Sequence, residues 1–443
     1  SIRRRHTRLQ GDWSSDVCSS DLTAVAIGNF ALASQNFTTA TNNFNVSVGY
    51  SAGEQVTTGL YNTLIGGLAG DALTDADSNV AVGQSALTSD TLGSFSVAIG
   101  QNALASQNFT TATNVYNVAV GKGAGETIST GTGNTLVGGL SGDALTTGFS
   151  NVAIGRSALS TEDTGRKNVA VGFAALEQQN SDADNLNTAV GFYAGGGITT
   201  GTHNVFVGGF AGDGTDDGNN SVAVGYLALS GNCGDSNVAI GLEALKVTTG
   251  SANTCIGKNS GDAVTSGSNN LFAGNDSGRT GSPGGNMTND ANKIVLGDDN
   301  IAEAHIQVDW TVASDQRDKT DFTALDLGLD FVKALAPVTY KWDKRSKYGD
   351  KTAEDYDLNA QSPDGTHKED WLDIGFKAQE VQALEEAAGY TTAAKKNLTV
   401  STSGDGKQMG LQYSKFVPIL VKAIQEQNAL IEALTARVAT LEG

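Results

Sequence analysis

Proline is nearly missing from this chain, with 4 in 443 residues and the first at Pro283. A long stretch without proline can form unbroken strand ladders, because every residue keeps its backbone donor. Methionine (2) and cysteine (3) are equally scarce, and aromatic residues make up 7%. Apart from Cys18, only Cys233 and Cys255 remain, at a spacing that forms neither a disulfide framework nor a metal signature. They read as small residues in or beside strands. Positive charge is short too. Residues 23–312 hold 24 acidic against 8 basic side chains, and residues 314–443 hold 21 against 16. Such a surface repels a phosphate backbone, so nucleic acid is excluded as a partner. No run approaches the roughly 20 consecutive apolar residues of a membrane-spanning helix, and no secretory signal peptide is visible, so membrane insertion is not expected.

Residues 11–22, GDWSSDVCSSDL, resemble the translation of a sequencing adaptor, and SIRRRHTRLQ before them has no usable pattern. Residues 1–22 are therefore set aside as non-native. The natural N-terminus, with any export or attachment signal, is expected to be missing.

Glycine is abundant (56 residues) and recurs at fixed intervals. Segments such as NVSVG (45–49), NTLIG (62–66), NVAVG (117–121), NVAIG (151–155), NVFVG (204–208) and NTCIG (253–257) repeat along the chain. Most steps between their terminal glycines are 17 residues, with a few of 16, 19 and 21. A longer period is superimposed, since ALASQNFTTATNNFNVSVG at 31–49 returns almost unchanged at 103–121. Each unit reads as a short strand with alternating apolar positions, such as Val118 and Val120, closed by glycine and a polar turn. The opening Asn suits a turn or a stacked amide ladder. One unit cannot bury a core alone, so neighbours must stack into a β-solenoid or β-roll over residues 23–278. His203 in TGTHN and His305 in AHIQV read as surface residues. The acidic GDGTDDGNN (212–220) lacks calcium-loop spacing and reads as a solvated turn.

These units resemble the head repeats of trimeric autotransporter adhesins and the AVG-x-x-AL arrays of phage-fibre-like proteins. The resemblance implies that three chains wind into one β-roll prism.

The regular spacing fails after Gly274. Residues 279–313 read as an irregular linker, RTGSPGGNMTNDAN, followed by last strands in KIVLG (293–297) and AHIQVDWTVAS (304–314). Beyond this, LDLGLDFVKAL is helix-like, APVTYKW strand-like, and WLDIGFKAQEVQALEEA a strand entering a helix. A final helix is expected over 414–442, with Ser414 as its cap and Pro418 in its first turn. In that helix Leu420, Ile424, Gln427, Ile431, Leu434, Val438 and Leu441 are spaced 4, 3, 4, 3, 4, 3, a heptad seam. Its β-branched and leucine positions favour two strands, whereas the resemblance implies three. A single amphipathic helix on a globular core is the competing reading. The predicted fold is thus mainly β, a solenoid followed by a small α+β domain with a C-terminal coiled-coil helix.

SDQRDK (314–319), GLDFVKALAPVTYKW (328–342), IGFKAQEV (374–381) and LQYSKFVPILVKAIQE (411–426) together resemble the peptidase S74 intramolecular chaperone domain of phage tailspikes and tail fibres. Alone, a Ser and a Lys five residues apart would be an ordinary turn. A serine hydroxyl is a weak nucleophile until a base takes its proton, and lysine serves only as the neutral amine. The resemblance implies Ser314 as nucleophile, Lys319 as general base, and cleavage at Ala313–Ser314 or Ser314–Asp315. Asp315 and Arg317 match the motif and are expected to shape the turn. Gly375, Gln379 and Glu380 belong to the later motif, where Asp373 stands in place of a His common among relatives. If that His aids cleavage or assembly, processing is expected to be slower here.

The expected function is a tail-fibre or tailspike-like structural protein, located in the virion, whose C-terminal domain assists trimer assembly and cleaves itself off beside Ser314. A bacterial surface adhesin is the alternative. A polysaccharide-degrading tailspike comes third, because residues 23–309 hold no Trp for sugar stacking. The implied partners are further copies of the chain and a host-surface glycan or protein. No cofactor or metal is implied.

Overall fold

A computed structural model describes residues 23–443 apart from 40, 308, 309, 311, 352, 354, 394, 395 and 397. The adaptor-like segment 1–22 lies outside the described residues. The chain divides into two compact units, up to Asn253 and from Thr254 onward.

The first unit is a β-solenoid. Three-residue strands stack in parallel from Val25–Ile27 to Val238–Ile240, each in register with the same positions of the next coil. The buried strand position is the central one: Ala81, Ala119, Leu136 and Phe206 are fully buried, whereas Val118 and Val120 are half-buried. The alternation in the sequence marks the flanking valines as the apolar face. The pleat instead turns the central residue inward, alanine in some coils and leucine or phenylalanine in others. The opening asparagines form the amide ladder. Asn45 Oδ1 accepts from the backbone N–H of Asn62 at 2.8 Å, and the Asn62 amide donates to Ala76 O at 2.8 Å. This satisfies buried backbone groups at the corner that follows no regular ladder.

The strand-ending glycines are required. Gly138 has φ +138°, and a Cβ there would lie 2.5 Å from Gly155 O in the next coil. Four residues further on, two kinds of coil alternate in pairs. One kind has glycine in the left-handed region, such as Gly142, where a Cβ would meet Leu136 at 2.8 Å and Leu145 at 2.9 Å. The other has a buried leucine in that same unfavourable conformation, such as Leu87, Leu104, Leu159 and Leu176 (φ 52° to 55°), over alanine at the strand centre. Where the first kind buries Leu73, Ile128, Leu145 and Ile198, the second buries Asp90, Gln107, Glu162 and Gln179. This pairing accounts for the longer period in the sequence.

The second unit opens with three more parallel strands, Thr254–Ile256, Leu271–Ala273 and Ile294–Leu296. Cys255 is a buried strand centre, and burial pushes its thiol up to about 12. Cys233, in the first unit, is also buried and free. The expected strand over 304–314 is absent among its described residues, all of which are exposed; residues 308, 309 and 311 lie outside the description. The described residues of that segment pair with no neighbouring strand.

A small α+β fold follows, with helices α1 (Leu329–Ala334), α2 (Ala378–Ala387) and α3 (Phe416–Glu442). Strand Val338–Tyr340 pairs antiparallel with Asp373–Gly375, and Val400–Thr402 with Met409–Leu411. Leu327, Phe331, Val381, Val400, Phe416 and Ile419 form the core. Ser414 does not cap α3. It lies inside a 3-10 turn, Tyr413–Lys415, and Lys415 at the helix start already has helical backbone. Only the first turns of α3 reach the core, through Phe416, Ile419 and Ala423; Leu420, Ile424, Ile431, Leu434, Val438 and Leu441 are exposed. No helix among the described residues is long and apolar enough to cross a membrane.

Candidate functional site

Ser314 and Lys319 meet because the four residues between them fold into one turn. Asp315 caps the 3-10 turn Gln316–Asp318: its Oδ1 accepts from the backbone N–H of Arg317 at 2.9 Å. The Arg317 guanidinium closes back on the same carboxylate, with Nη2 to Oδ2 at 2.6 Å and Nε to Oδ1 at 3.1 Å. The Arg317 side chain and backbone N–H hold the Asp315 carboxyl below its ordinary range, and Asp315 raises Arg317 in return. At the far end, the Lys319 N–H donates to Gln316 O at 3.2 Å, and extended backbone there aims the side chain backward. Lys319 Nζ donates to Ser314 Oγ at 2.6 Å and lies 3.4 Å from Ser314 O. Asp315 and Arg317 thus pair within the turn.

Both dyad side chains are exposed, as is every described residue from 301 to 324. The site brings a serine hydroxyl and a lysine amine together on an exposed segment.

The other motif residues lie in the α+β fold. Gly375 ends its strand under Tyr413, where a Cβ would be 2.5 Å from the phenol oxygen. Glu380, in the first turn of α2, pairs with Lys377 at 2.7 Å, and Gln379 beside it is exposed. No hydrogen bond or ion pair among the described residues joins these three to Ser314 or Lys319. Asp373 accepts from the Tyr340 hydroxyl at 3.2 Å and from the Ile374 N–H at 2.8 Å. Burial, and then the Asp373 charge, push the Tyr340 phenol up. His203 is an exposed turn residue whose Nδ1 lies 3.0 Å from Thr202 Oγ1, and His305 is exposed beside Glu303 at 2.9 Å. Asp216 in the acidic turn is part of the coil stacking, its carbonyl accepting from the Thr199 N–H at 2.9 Å.

Glu426 escaped the sequence reading. Its Oε2 accepts from the Leu329 N–H at 2.7 Å, so a residue of α3 caps α1, whose own cap Gly328 has no side chain. Nothing local in the sequence announces a cap supplied from another helix.

Residues 314–390 match the family model of Peptidase S74, described as the chaperone of endosialidase. The match begins at Ser314 itself and supports a chaperone domain like those of phage tail-fibre and tailspike proteins. The family generally implies self-cleaving peptidase activity. Neither a curated protein nor a solved structure matches the chain.

Proposed function

We propose that this chain is a phage tail-fibre or tailspike-like structural protein whose C-terminal domain, residues 314–443, helps three copies assemble and then cleaves itself off beside Ser314. The observation that carries the reading is the 2.6 Å contact from Lys319 Nζ to Ser314 Oγ at the first residue of the family match. The neutral Lys319 amine takes the Oγ proton as Oγ adds to the neighbouring carbonyl carbon. Collapse of the tetrahedral adduct breaks the peptide bond, and the leaving amine takes the proton from Lys319. Water then hydrolyses the ester, restoring Ser314 and freeing a carboxylate. Each chain turns over once.

Burial favours the neutral amine, and the single chain leaves the site in water. Further copies supply that burial in this proposal. Two apolar surfaces fit them. Along the array, Ile154, Val171, Val190, Val207, Val224 and Ile240 fall in one outward column through the strand registers. Rings also meet in series along the array, Phe173–Phe192 stacked at 5.1 Å, then Phe192–Phe210 at 5.2 Å and Phe210–Tyr226 at 6.1 Å edge-on. A contiguous apolar surface of this kind marks an interaction site. The exposed heptad seam of α3 is the second surface, and a three-chain coiled coil covers it. The virion is the implied location. A bacterial adhesin shares the array but leaves the match at 314–390 without a role.

The test is a gel of folded wild-type protein beside Ser314→Ala and Lys319→Ala. Wild type should give two fragments, the smaller starting at Ser314 or Asp315 by N-terminal sequencing. Both variants should stay full-length while still forming trimers. Variants cut like wild type refute the dyad.

A further inference from the structure

The second unit contains polar contacts that cross the proposed cut. Asp299, just after the last strand of the ladder, is buried, and Lys351 Nζ meets its Oδ2 at 2.6 Å. Lys344 Nζ donates to Asp299 O at 3.0 Å and pairs with Glu369 at 3.4 Å. Lys347 Nζ donates to Asn300 Oδ1. Ser346, between these lysines, is buried against Gly281, where a Cβ would lie 2.8 Å from its own. A second grip comes from the turn after Val400–Thr402: Asp405 Oδ2 accepts from the Asn286 N–H at 3.1 Å. Apart from the Lys344–Glu369 pair, each of these contacts joins a residue before Ser314 to one after it.

The covalent link between the two sides has no such hold. Its described residues from 301 to 324 are exposed and outside any strand ladder. Breaking the chain at Ser314 therefore removes the link and leaves the grip intact.

We infer that the C-terminal domain, once severed, stays docked on the last coil through a polar latch of Lys344, Lys347, Lys351 and Asp405 against Asp299, Asn300 and Asn286. Its departure is then a second, salt-sensitive step, distinct from peptide cleavage. The inference rests on the proposed cleavage only for the severing event. The latch surface fits one partner, the end of this chain's own strand ladder. A cation removed from a buried, hydrogen-bonded charge pair acts chiefly on dissociation, whereas exposed rim charges matter little. Asp299 is the buried member here, so Lys351 carries most of the hold.

The experiment uses the full chain with Ser314→Ala and a specific-protease recognition sequence inserted after Ala304. After folding, the inserted site is cut and the fragments are run on a sizing column. At low salt they should co-elute, and in about 1 M salt, where the screening length falls to about 3 Å, they should separate. Lys344→Met with Lys351→Met should dissociate at least about tenfold faster at low salt, Asp299→Asn should do likewise, and Lys351→Arg should hold. The uncut variants must first elute like the uncut parent, which shows that they have folded. Fragments of the parent that part at low salt overturn the latch, and so do Met and Asn variants that hold as tightly as the parent. Whether the native Ser314 chain cuts itself is read separately on a gel, so failure of that reading leaves this result standing.

Discussion

In the repeat array, Asp71, Asp90, Asp143, Glu162 and Asp213 are all pushed above the ordinary carboxylate range, in each case first by burial. In the C-terminal region the carboxylates go the other way. Asp315 is held down by Arg317, Asp357 by Lys407, and Glu426 by the Leu329 N–H and Lys422. At Asp298 and Asp405 burial pulls upward, but hydrogen bonds from Asn300 and Ser403 outweigh it. The array has one exception, Asp184, held down by hydrogen bonds from Lys167 and Arg166. The same contrast shows in the apolar side chains. The coils bury leucines such as Leu87, Leu104, Leu136 and Leu145 completely, whereas the C-terminal region leaves Trp342, Trp371, Ile374 and the seam of α3 exposed. One part buries its core coil by coil, and the other holds its carboxylates with cations and backbone donors.

The sharpest way to break this contrast is to delete 414–443. Without the seam, nothing brings three chains into register before the non-local β-structure starts, and its loop-closure entropy is not offset. Soluble trimers should be lost entirely, as read by native mass spectrometry; trimers of normal yield would contradict the account.

Next in size is a change inside one coil. Gly142→Leu puts the other coil type's corner residue where Leu136 and Leu145 already fill the space. Overpacking of this kind costs roughly 1–3 kcal/mol, to which the strain of the left-handed backbone adds. Adding Leu136→Ala should recover a good part of it, because the other coil type pairs leucine with alanine. A double-mutant cycle in chemical denaturation gives the coupling; simple additivity would sink the two-coil description.

The smallest effect is the response to acid. A carboxyl whose folded pKa is lowered adds stability above its unfolded pKa and loses it as pH falls through the folded value. A carboxyl whose folded pKa is raised does the reverse, and its stability falls as pH rises through the folded value. From neutral pH downward, the C-terminal region should therefore weaken below about pH 4 while the array holds or gains. The described tryptophans, Trp310, Trp342 and Trp371, all lie in the second unit, so their fluorescence reports that region while far-UV circular dichroism reports the strands. Simultaneous loss of both signals would remove the contrast.

Much of this was legible from the chain alone. The spacing of NVAVG-like segments gave the stacked strands, and the opening asparagines gave the amide ladder. The inward face was harder. A period of two marks two faces without saying which is the core, and here the outward valines are more apolar than the inward alanines. The two coil types were invisible for a related reason, since leucine has no local preference for the left-handed region and sits there only because neighbouring coils hold it. The 304–314 segment has the alternation of a strand, but its described residues join no ladder, and α1 is capped by Glu426 from another helix. At the candidate site the contacts of the turn are local, but SDQRDK alone reads as an ordinary turn, and only the resemblance of the wider motif set singled out Ser314 and Lys319.

The central claim is that the chain severs itself in the exposed link between array and C-terminal domain. Mass spectrometry of one folded wild-type preparation, run under native and denaturing conditions, tests it most directly. Denaturing spectra should show two fragments that meet beside Ser314, and native spectra should show three copies of the larger one. A full-length mass alone after folding, or a fragment boundary elsewhere, would contradict it.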